Sequence, residues 1–272
     1  MNAYAEVQKF YESYRGTKRV IGRSALGRCI YAVFVGSGGG PVGIAQYSMH
    51  AREYITAYLA LEHARRGVKR GGAWIVPLVN PDGAELSEKG LQSIASEARR
   101  RELVRINFGS EDFSLWKANA QGVDLNVNFP ARWGTGEGNV TAPAPHGCIG
   151  CRPLSAPESR ALAGFTLEVN PSYTVSWHTK GEVIYWRFHQ PRARATRDRQ
   201  LARILSRSTG YPLDEAPLSA GGYKDWCVET LHIPAFTVEA GRDAATHPLA
   251  REELPDIVNK NLDALFALSE GF

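Results

Sequence analysis

A chain of 272 residues, of which 43% are apolar and 10% aromatic, can bury a substantial core and need not be divided into several domains. Lysine and arginine total 32 and aspartate and glutamate 28, and this excess of +4 is too small to indicate a nucleic-acid-binding protein. No apolar segment approaches the length of a membrane span, so neither nucleic acid nor membrane is an expected partner.

The predicted elements alternate between helix and strand along the chain. The N-terminus places Tyr4, Val7, Tyr11 and Tyr14 at amphipathic spacing, which predicts a first helix rather than a signal peptide. Apolar runs predict strands at about 29–36, 42–49, 73–79, 172–178, 182–186 and 235–240. Helical spacing predicts helices at about 54–66, 91–105, 156–168, 196–208 and 252–268.

Apolar strands separated by helices predict an α/β fold, in which a mixed, mostly parallel twisted sheet is covered by helices on both faces. We expect a single domain over residues 1–272. The segment 106–154 is rich in Gly, Pro, Asn and Trp without periodicity, which is typical of a functional loop region. The absence of a signal peptide predicts a cytoplasmic protein, and a cell-wall or extracellular location stays open if the sequence has been trimmed.

Three separated residues could bind one metal ion. In "QYSMHAREYITAYL", His50 and Glu53 are three positions apart at a helix start, so that their side chains can converge. Such a pair is common on helix surfaces, but His178 ends the predicted strand 172–178 and supplies a second imidazole. Two histidines and one glutamate leave a zinc position open, as catalytic zinc sites do.

A fourth residue could act as the base in this chemistry. Glu239 ends the apolar run of "FTVEAG", where a carboxylate is disfavoured unless it is paired or functional. Glu239 is therefore a candidate for activating a water molecule at the metal, and the alternative is that it caps an adjacent loop.

The order of "HARE", "VNPDG", "GVDLNVNFP", "SWHTKGE" and "FTVEAG", between about Val20 and Phe266, resembles the zinc metallocarboxypeptidase family, which includes carboxypeptidase A. The resemblance implies that one zinc ion per chain is bound by His50, Glu53 and His178. It also implies that Glu239 takes a proton from the attacking water and delivers it to the leaving amine.

The resemblance extends to the residues around the metal. Asp124 matches the aspartate that orients the first histidine through its second ring nitrogen. Asn126 matches a residue that helps to hold the substrate carboxylate, and Arg52 matches one that lines the cleft.

Three positions depart from the digestive members of the family. Val127 replaces the arginine that clamps a terminal carboxylate, which argues against ordinary C-terminal recognition. Lys117 stands where those enzymes carry the arginine that stabilises the oxyanion, and it preserves the positive charge. Pro217 falls at the position of the mobile tyrosine, and Tyr223 is a candidate to cover part of that role.

The stretches "WKANAQGVDLN", "RPLSAPES", "HTKGEVIYW" and "SAGGYKDW" resemble the bacterial branch that cleaves γ-D-glutamyl-meso-diaminopimelate bonds in peptidoglycan peptides. This resemblance implies that Lys224 pairs with a substrate carboxylate at the pocket floor. Glu182 is then a candidate to receive an amino group, and Trp186 a candidate apolar wall of the pocket. For Lys224 and Glu182 the alternative is a solvated surface charge.

The sequence therefore predicts a zinc peptidase that hydrolyses the γ-D-glutamyl-meso-diaminopimelate bond. No wall-binding repeat is recognised, so a small muropeptide is the expected partner. The alternatives are a conventional metallocarboxypeptidase, a small-molecule amidohydrolase of the deacylase type, and a non-catalytic binding module. Cys148 and Cys151 form a lone CxxC in "PHGCIGCRP", for which a free pair or a local disulfide is favoured over a second zinc site.

Overall fold

The computed structural model describes residues 2–215 and 220–272. The regular elements of these residues are, in chain order, α1 (Ala3–Ser13), β1 (Lys18–Arg23), β2 (Cys29–Gly36), β3 (Val42–Tyr47), α2 (Ile55–Arg66), β4 (Gly72–Val76), α3 (Pro81–Lys89), α4 (Glu97–Ile106), α5 (Pro157–Val169), β5 (Tyr173–His178), β6 (Val183–Tyr185), α6 (Arg192–Thr209), β7 (Leu213–Asp214), α7 (Tyr223–Glu229), β8 (Ala235–Glu239), α8 (Leu254–Asn261) and α9 (Ala264–Ser269). Single helical turns lie at Ala51–Glu53, Gly90–Ser93, Leu125–Val127 and Arg251–Glu253.

The strands of the described residues form one eight-stranded sheet in the order β1-β2-β4-β3-β5-β8-β6-β7. The four central strands, β4, β3, β5 and β8, run parallel to one another. Strand β2 is antiparallel to β4, and β6 is antiparallel to β8. The predicted α/β fold with a mixed, mostly parallel sheet is confirmed.

Both faces of the sheet are covered, which explains why its strands read as continuous apolar runs. On one face, Tyr47 and Trp177 stack at 5.0 Å between ring centroids and belong to a core that α2, α6, α8 and α9 complete. On the other face, Trp74 packs edge-on against Phe165 of α5. Among the described helices, none has the length and apolar composition that crossing a bilayer requires.

The six predicted strands are all present, five of them shorter than predicted, whereas β1 and β7 were not predicted. Strand β1 is an edge strand with several exposed side chains, so its sequence lacks an apolar run. Helix α3 was missed because "NPDG" is typical of a turn; here Asn80 caps the helix by accepting a hydrogen bond from the Gly83 amide. The helix predicted at 252–268 is divided into one turn, α8 and α9.

Buried polar side chains hold the irregular segment after α4 against the sheet. The Asn80 side chain donates to the carbonyls of Met49 and Ala118, at 3.2 and 3.1 Å, and so ties this segment to the turn that follows β3. Farther along, the fully buried Glu158 carboxylate accepts hydrogen bonds from the Asn119 side chain and the Ala25 amide. The segment is therefore fixed at defined points in spite of its lack of regular structure.

The burial of Glu158 makes a prediction about stability. Burial raises the pKa of this carboxyl from its ordinary value of 4.5 to about 7, against the opposing hydrogen bonds from Ala25 and Asn119. Between these two pH values the folded protein keeps a proton that the unfolded chain has lost, so the contribution of Glu158 to stability falls as the pH rises. We therefore compare the free energy of unfolding of Glu158→Gln with that of the wild type. The variant's value minus the wild-type value should be about 2 to 3 kcal/mol higher at pH 8 than at pH 5.

Urea unfolding of both proteins at both pH values measures this difference, and effects shared by the two proteins cancel. An equal difference in the free energy of unfolding at pH 5 and pH 8 would show that Glu158 does not carry this proton.

Candidate metal centre

Three parallel strands bring the predicted site residues to one edge of the sheet. Strand β3 ends at Tyr47, shortly before His50. Strand β5 ends at His178 and β8 at Glu239, and these two residues are register partners on neighbouring strands. The site thus lies at the carboxyl ends of the strands, where open α/β sheets bind their ligands.

The turn after β3 is held by backbone contacts to the irregular segment. Ser48 adopts a left-handed φ of 51°, and its amide donates to the Thr56 hydroxyl at 2.9 Å. The amides of Ala51 and Arg52 then donate to the carbonyls of Lys117 and Trp116, each at 3.0 Å. These bonds bring Lys117 next to the turn that carries His50 and Glu53.

The side chains of His50, Glu53 and His178 converge on one point. One possible ligand atom from each residue lies within 4.8 Å of the others, and all three residues are buried. Nδ1 of His50 lies 2.9 Å from one carboxylate oxygen of Glu53, and Nδ1 of His178 lies 2.9 Å from the other. The two Nδ1 atoms are 3.1 Å apart.

This donor set fits a zinc ion. The two Nδ1 atoms face each other at 3.1 Å beside a carboxylate. Because an unprotonated imidazole nitrogen is a hydrogen-bond acceptor, this arrangement needs either a cation shared by both nitrogens or a proton on one of them. Ligands bound tetrahedrally to zinc at about 2.0 to 2.1 Å lie about 3.3 Å apart, close to the observed separations. Among the described residues, no other group of three or more His, Cys, Asp and Glu side chains converges in this way.

The Asp124 carboxylate lies next to the second ring nitrogen of His50. Its Oδ1 lies 3.3 Å from Nε2 of His50, and its two oxygens accept the amides of Asn126 and Gly147 at 3.1 and 3.0 Å. Burial alone would raise the pKa of Asp124, but His50, Lys117 and the Gly147 amide hold it well below its usual range. An ionised carboxylate in this position favours the tautomer of His50 that carries its proton on Nε2.

Glu239 lies beside the three residues with its carboxylate free. Among the described residues, no hydrogen bond or ion pair to this side chain is formed. Burial and the neighbouring Glu53 carboxylate raise the pKa of Glu239 to about 8, while His50, Lys117 and Arg52 oppose the rise. A carboxyl group whose pKa lies near neutrality can both accept and return a proton.

Two cationic side chains flank this group. Lys117 is partly exposed, and its charge acts on His50, Asp124 and Glu239. Arg52 also acts on Glu239, and its Nε is buried without a hydrogen-bond partner among the described residues. The site therefore has positive charge available for oxygen atoms of a substrate.

Asp124 caps the helical turn Leu125–Val127, and Asn126 and Val127 are the last two residues of this turn. The side-chain oxygen of Asn126 accepts the Tyr223 amide at 3.3 Å, which leaves its amide hydrogens available. Because residue 127 is valine, no guanidinium group is present on this turn.

Tyr223 and Trp186 are corrections to the sequence predictions. Tyr223 is fully buried, and its hydroxyl bonds with the Thr166 hydroxyl at 2.8 Å inside the core, so it does not replace the mobile tyrosine. Trp186 is 2% exposed and packs in the core beneath the sheet, so it does not form an open pocket wall. Both residues were misassigned because the sequence does not distinguish an aromatic core residue from an aromatic pocket residue.

Glu182 and Lys224 have partners within the protein, which also corrects the predictions. The Glu182 carboxylate accepts a hydrogen bond from Lys260 of α8 at 2.7 Å, and Lys260 is also paired with Asp256 at 2.9 Å. The Lys224 ammonium is 2.6 Å from the Asp225 carboxylate and donates to the Arg187 carbonyl at 3.1 Å. Neither residue offers the unpaired charge that was expected to bind the substrate.

Two further sequence predictions concern the loops. Pro217 lies outside the described residues. Cys148 is buried and Cys151 exposed, and both are free thiols, so of the two predicted alternatives, a free pair and a local disulfide, the structure has the free pair.

One residue near the site was not predicted from the sequence. His247 lies in the loop between β8 and α8, and the charges of Arg52, Glu53 and Lys117 act on its ring. The loop has no periodicity, but it follows the strand that ends in Glu239. The rule that loops at the carboxyl ends of strands line ligand sites could have identified it.

Comparisons with known proteins agree with this architecture. The profile of the family described as zinc carboxypeptidase matches residues 3–264. γ-D-Glutamyl-L-diamino acid endopeptidase 1 of Lysinibacillus sphaericus is 34% identical over 286 residues, covering 98% of this chain and 70% of that protein. Murein peptide amidase A of Escherichia coli (strain K12) is 32% identical over 135 residues, covering 45% of this chain and 50% of that protein.

A solved structure shows the same fold. Bovine thrombin-activatable fibrinolysis inhibitor, in complex with tick carboxypeptidase inhibitor, matches with a TM-score of 0.78 at 20% identity. The match covers 98% of this chain and 94% of that chain.

Proposed function

This chain belongs to the zinc carboxypeptidase family, and we propose that it is a peptidase with one zinc ion per chain that hydrolyses the γ-D-glutamyl-meso-diaminopimelate bond of small peptidoglycan peptides. The observation that carries this proposal is the convergence of His50, Glu53 and His178 beside a free Glu239 carboxylate.

Each residue of the site has a separate role in hydrolysis. His50, His178 and Glu53 would hold the zinc ion, which would supply Lewis-acid activation of water and of the scissile carbonyl when bound. Glu239 accepts a proton from the attacking water and returns it to the leaving amine. Asp124 keeps His50 in the tautomer that presents Nδ1, and it does so from a position 3.3 Å from Nε2.

Lys117 stabilises the negative charge that develops on the carbonyl oxygen. Its ammonium makes no hydrogen bond or ion pair with the other described residues, so it is available for the substrate. A donor aimed at developing charge in a partly enclosed site contributes about 3 to 4 kcal/mol in typical enzymes.

The choice of substrate is supported by Val127 and by the relatives. Because residue 127 is valine and not arginine, the site lacks the bidentate clamp for the terminal carboxylate of an ordinary peptide. Asn126 and Arg52 are then proposed to bind the substrate. The relative from Lysinibacillus sphaericus is, by its name, an endopeptidase for γ-D-glutamyl-L-diamino acid bonds, and the relative from Escherichia coli is named a murein peptide amidase.

A comparison of substrates tests the proposed function. We expect the zinc-loaded protein to release diaminopimelate from L-Ala-γ-D-Glu-meso-diaminopimelate, with kcat/KM at least about 100-fold above that for peptides ending in leucine or lysine. An N-acyl amino acid serves as the substrate of the deacylase alternative. Preferred cleavage of the C-terminal leucine or lysine would contradict the proposal in favour of a conventional carboxypeptidase, and zinc binding without any turnover would favour a binding module.

A further inference from the structure

The loop that follows β8 is anchored at both of its ends. The Ala240 amide donates to the His178 carbonyl, and the Gly181 amide donates to the Gly241 carbonyl, each at 2.9 Å. Leu249, at the other end of the loop, is 3% exposed and belongs to the core. His247 lies in the chain between these two fixed points, and the charges of Arg52, Glu53 and Lys117 act on its ring, so the fold holds it near the site.

The ring of His247 carries a polar atom without a partner. Its Nδ1 is buried, and no hydrogen bond to this atom is formed within the part of the chain that the structure describes. Arg52 Nε, which belongs to the turn after β3, is buried and unpartnered in the same way. A buried nitrogen without a hydrogen bond costs free energy unless a ligand supplies the missing acceptor.

The surroundings of His247 indicate the charge of that ligand. Burial, together with the positive charges of Arg52, Lys180 and Lys117, lowers the pKa of the ring to about 4, although Glu53 opposes the shift. Lys180 is balanced by Asp243, whereas Arg52 and Lys117 have no ion pair among the described residues. A neutral imidazole beside two uncompensated cations can donate Nδ1–H to an anionic oxygen.

We propose that His247 is a substrate ligand that determines specificity, and that together with Arg52 it binds the free α-carboxylate of the γ-linked glutamyl residue. This inference rests on the proposed function.

The chemistry of a γ-glutamyl bond explains why such a site is needed. In an ordinary peptide the residue that provides the scissile carbonyl has its α-carboxyl group within that bond. In a γ-linked residue the α-carboxylate stays free, close to the reacting carbonyl. Its two oxygens can accept one hydrogen bond from His247 and one from Arg52, and the negative charge is favoured by Lys117 nearby.

Two peptides that differ at one group test the inference. L-Ala-γ-D-Glu-meso-diaminopimelate carries the free α-carboxylate, and its D-isoglutaminyl counterpart carries a neutral carboxamide in its place. The wild type should prefer the free acid by about tenfold or more in kcat/KM, since hydrogen bonds to a charged group are the stronger ones. His247→Ala should lower this ratio toward one, mainly through KM for the free acid, and His247→Asn, which keeps a short donor, should retain more of it.

Thr246→Ala, an exposed change in the same loop, is the matched control and should keep the wild-type ratio. The binding affinities of both peptides for Glu239→Gln, with and without His247→Ala, measure the same preference without turnover. An unchanged ratio in His247→Ala, or no preference in the wild type, overturns the inference while the proposed function stands. If the zinc-loaded wild type cleaves neither peptide, both the proposed function and the inference are overturned.

Discussion

Replacing Glu239 with glutamine should lower kcat for the γ-D-glutamyl substrate by roughly 10²- to 10⁴-fold, the usual contribution of general acid–base catalysis. Glutamine has nearly the same size but can neither accept the proton of the attacking water nor return it to the leaving amine. Because Glu239 is adjacent to the metal ligands and is not one of the three converging residues, the variant should still bind zinc. Steady-state kinetics together with the metal content of the same preparation check this result.

Glu252→Gln is the matched control, because Glu252 is exposed and lies in the segment that leads into α8. It makes the same change from a carboxyl to a carboxamide and should leave kcat unchanged. If Glu239→Gln kept more than about a tenth of the wild-type kcat, the base would have to be a different group.

Replacing His178 with alanine should abolish both metal binding and hydrolysis. The loss of a residue that merely orients a ligand costs about 10- to 100-fold in metal affinity, and the loss of a ligand itself should cost more. His178 is 1% exposed at the end of β5, and its Nδ1 lies 3.1 Å from the Nδ1 of His50. Zinc content after dialysis and the residual rate on the γ-D-glutamyl peptide are the two measurements.

The control for this variant is His232→Ala, because His232 is exposed and lies away from the converging side chains. Circular dichroism of both variants shows whether the fold is kept. A His178→Ala protein that is folded and retains stoichiometric zinc would contradict the role of His178 as a ligand.

The central strands, the three converging residues and Glu239 could be predicted because one physical constraint governs them all. Strands buried on both faces must be apolar, so a charged or ionisable residue at the end of such a strand is conspicuous. His178 and Glu239 stand at two of these ends, and His50 follows a third. Parallel strands place their carboxyl ends side by side, which turns three separate sequence positions into one site.

The polar elements of the fold were harder to predict. Strand β1 pairs with only one neighbour and has several exposed side chains, so no apolar run marks it. Helix α3 depends on the capping interaction of Asn80, which the sequence shows only as a turn-like "NPDG".

The substrate-binding residues were predicted less well because their partners are distant in sequence. Glu182 is paired with Lys260, and Tyr223 bonds to Thr166. No local pattern relates these pairs. His247 escaped notice for the opposite reason, since nothing in the periodicity of its loop marks it.

An anomalous difference map at the zinc absorption edge, from a crystal of the zinc-loaded protein, tests the central claim most directly. We predict a single strong peak within about 2.0 to 2.2 Å of Nδ1 of His50, Nδ1 of His178 and a carboxylate oxygen of Glu53. A crystal with no peak at this position, or with its zinc bound instead at Cys148 and Cys151, would contradict it.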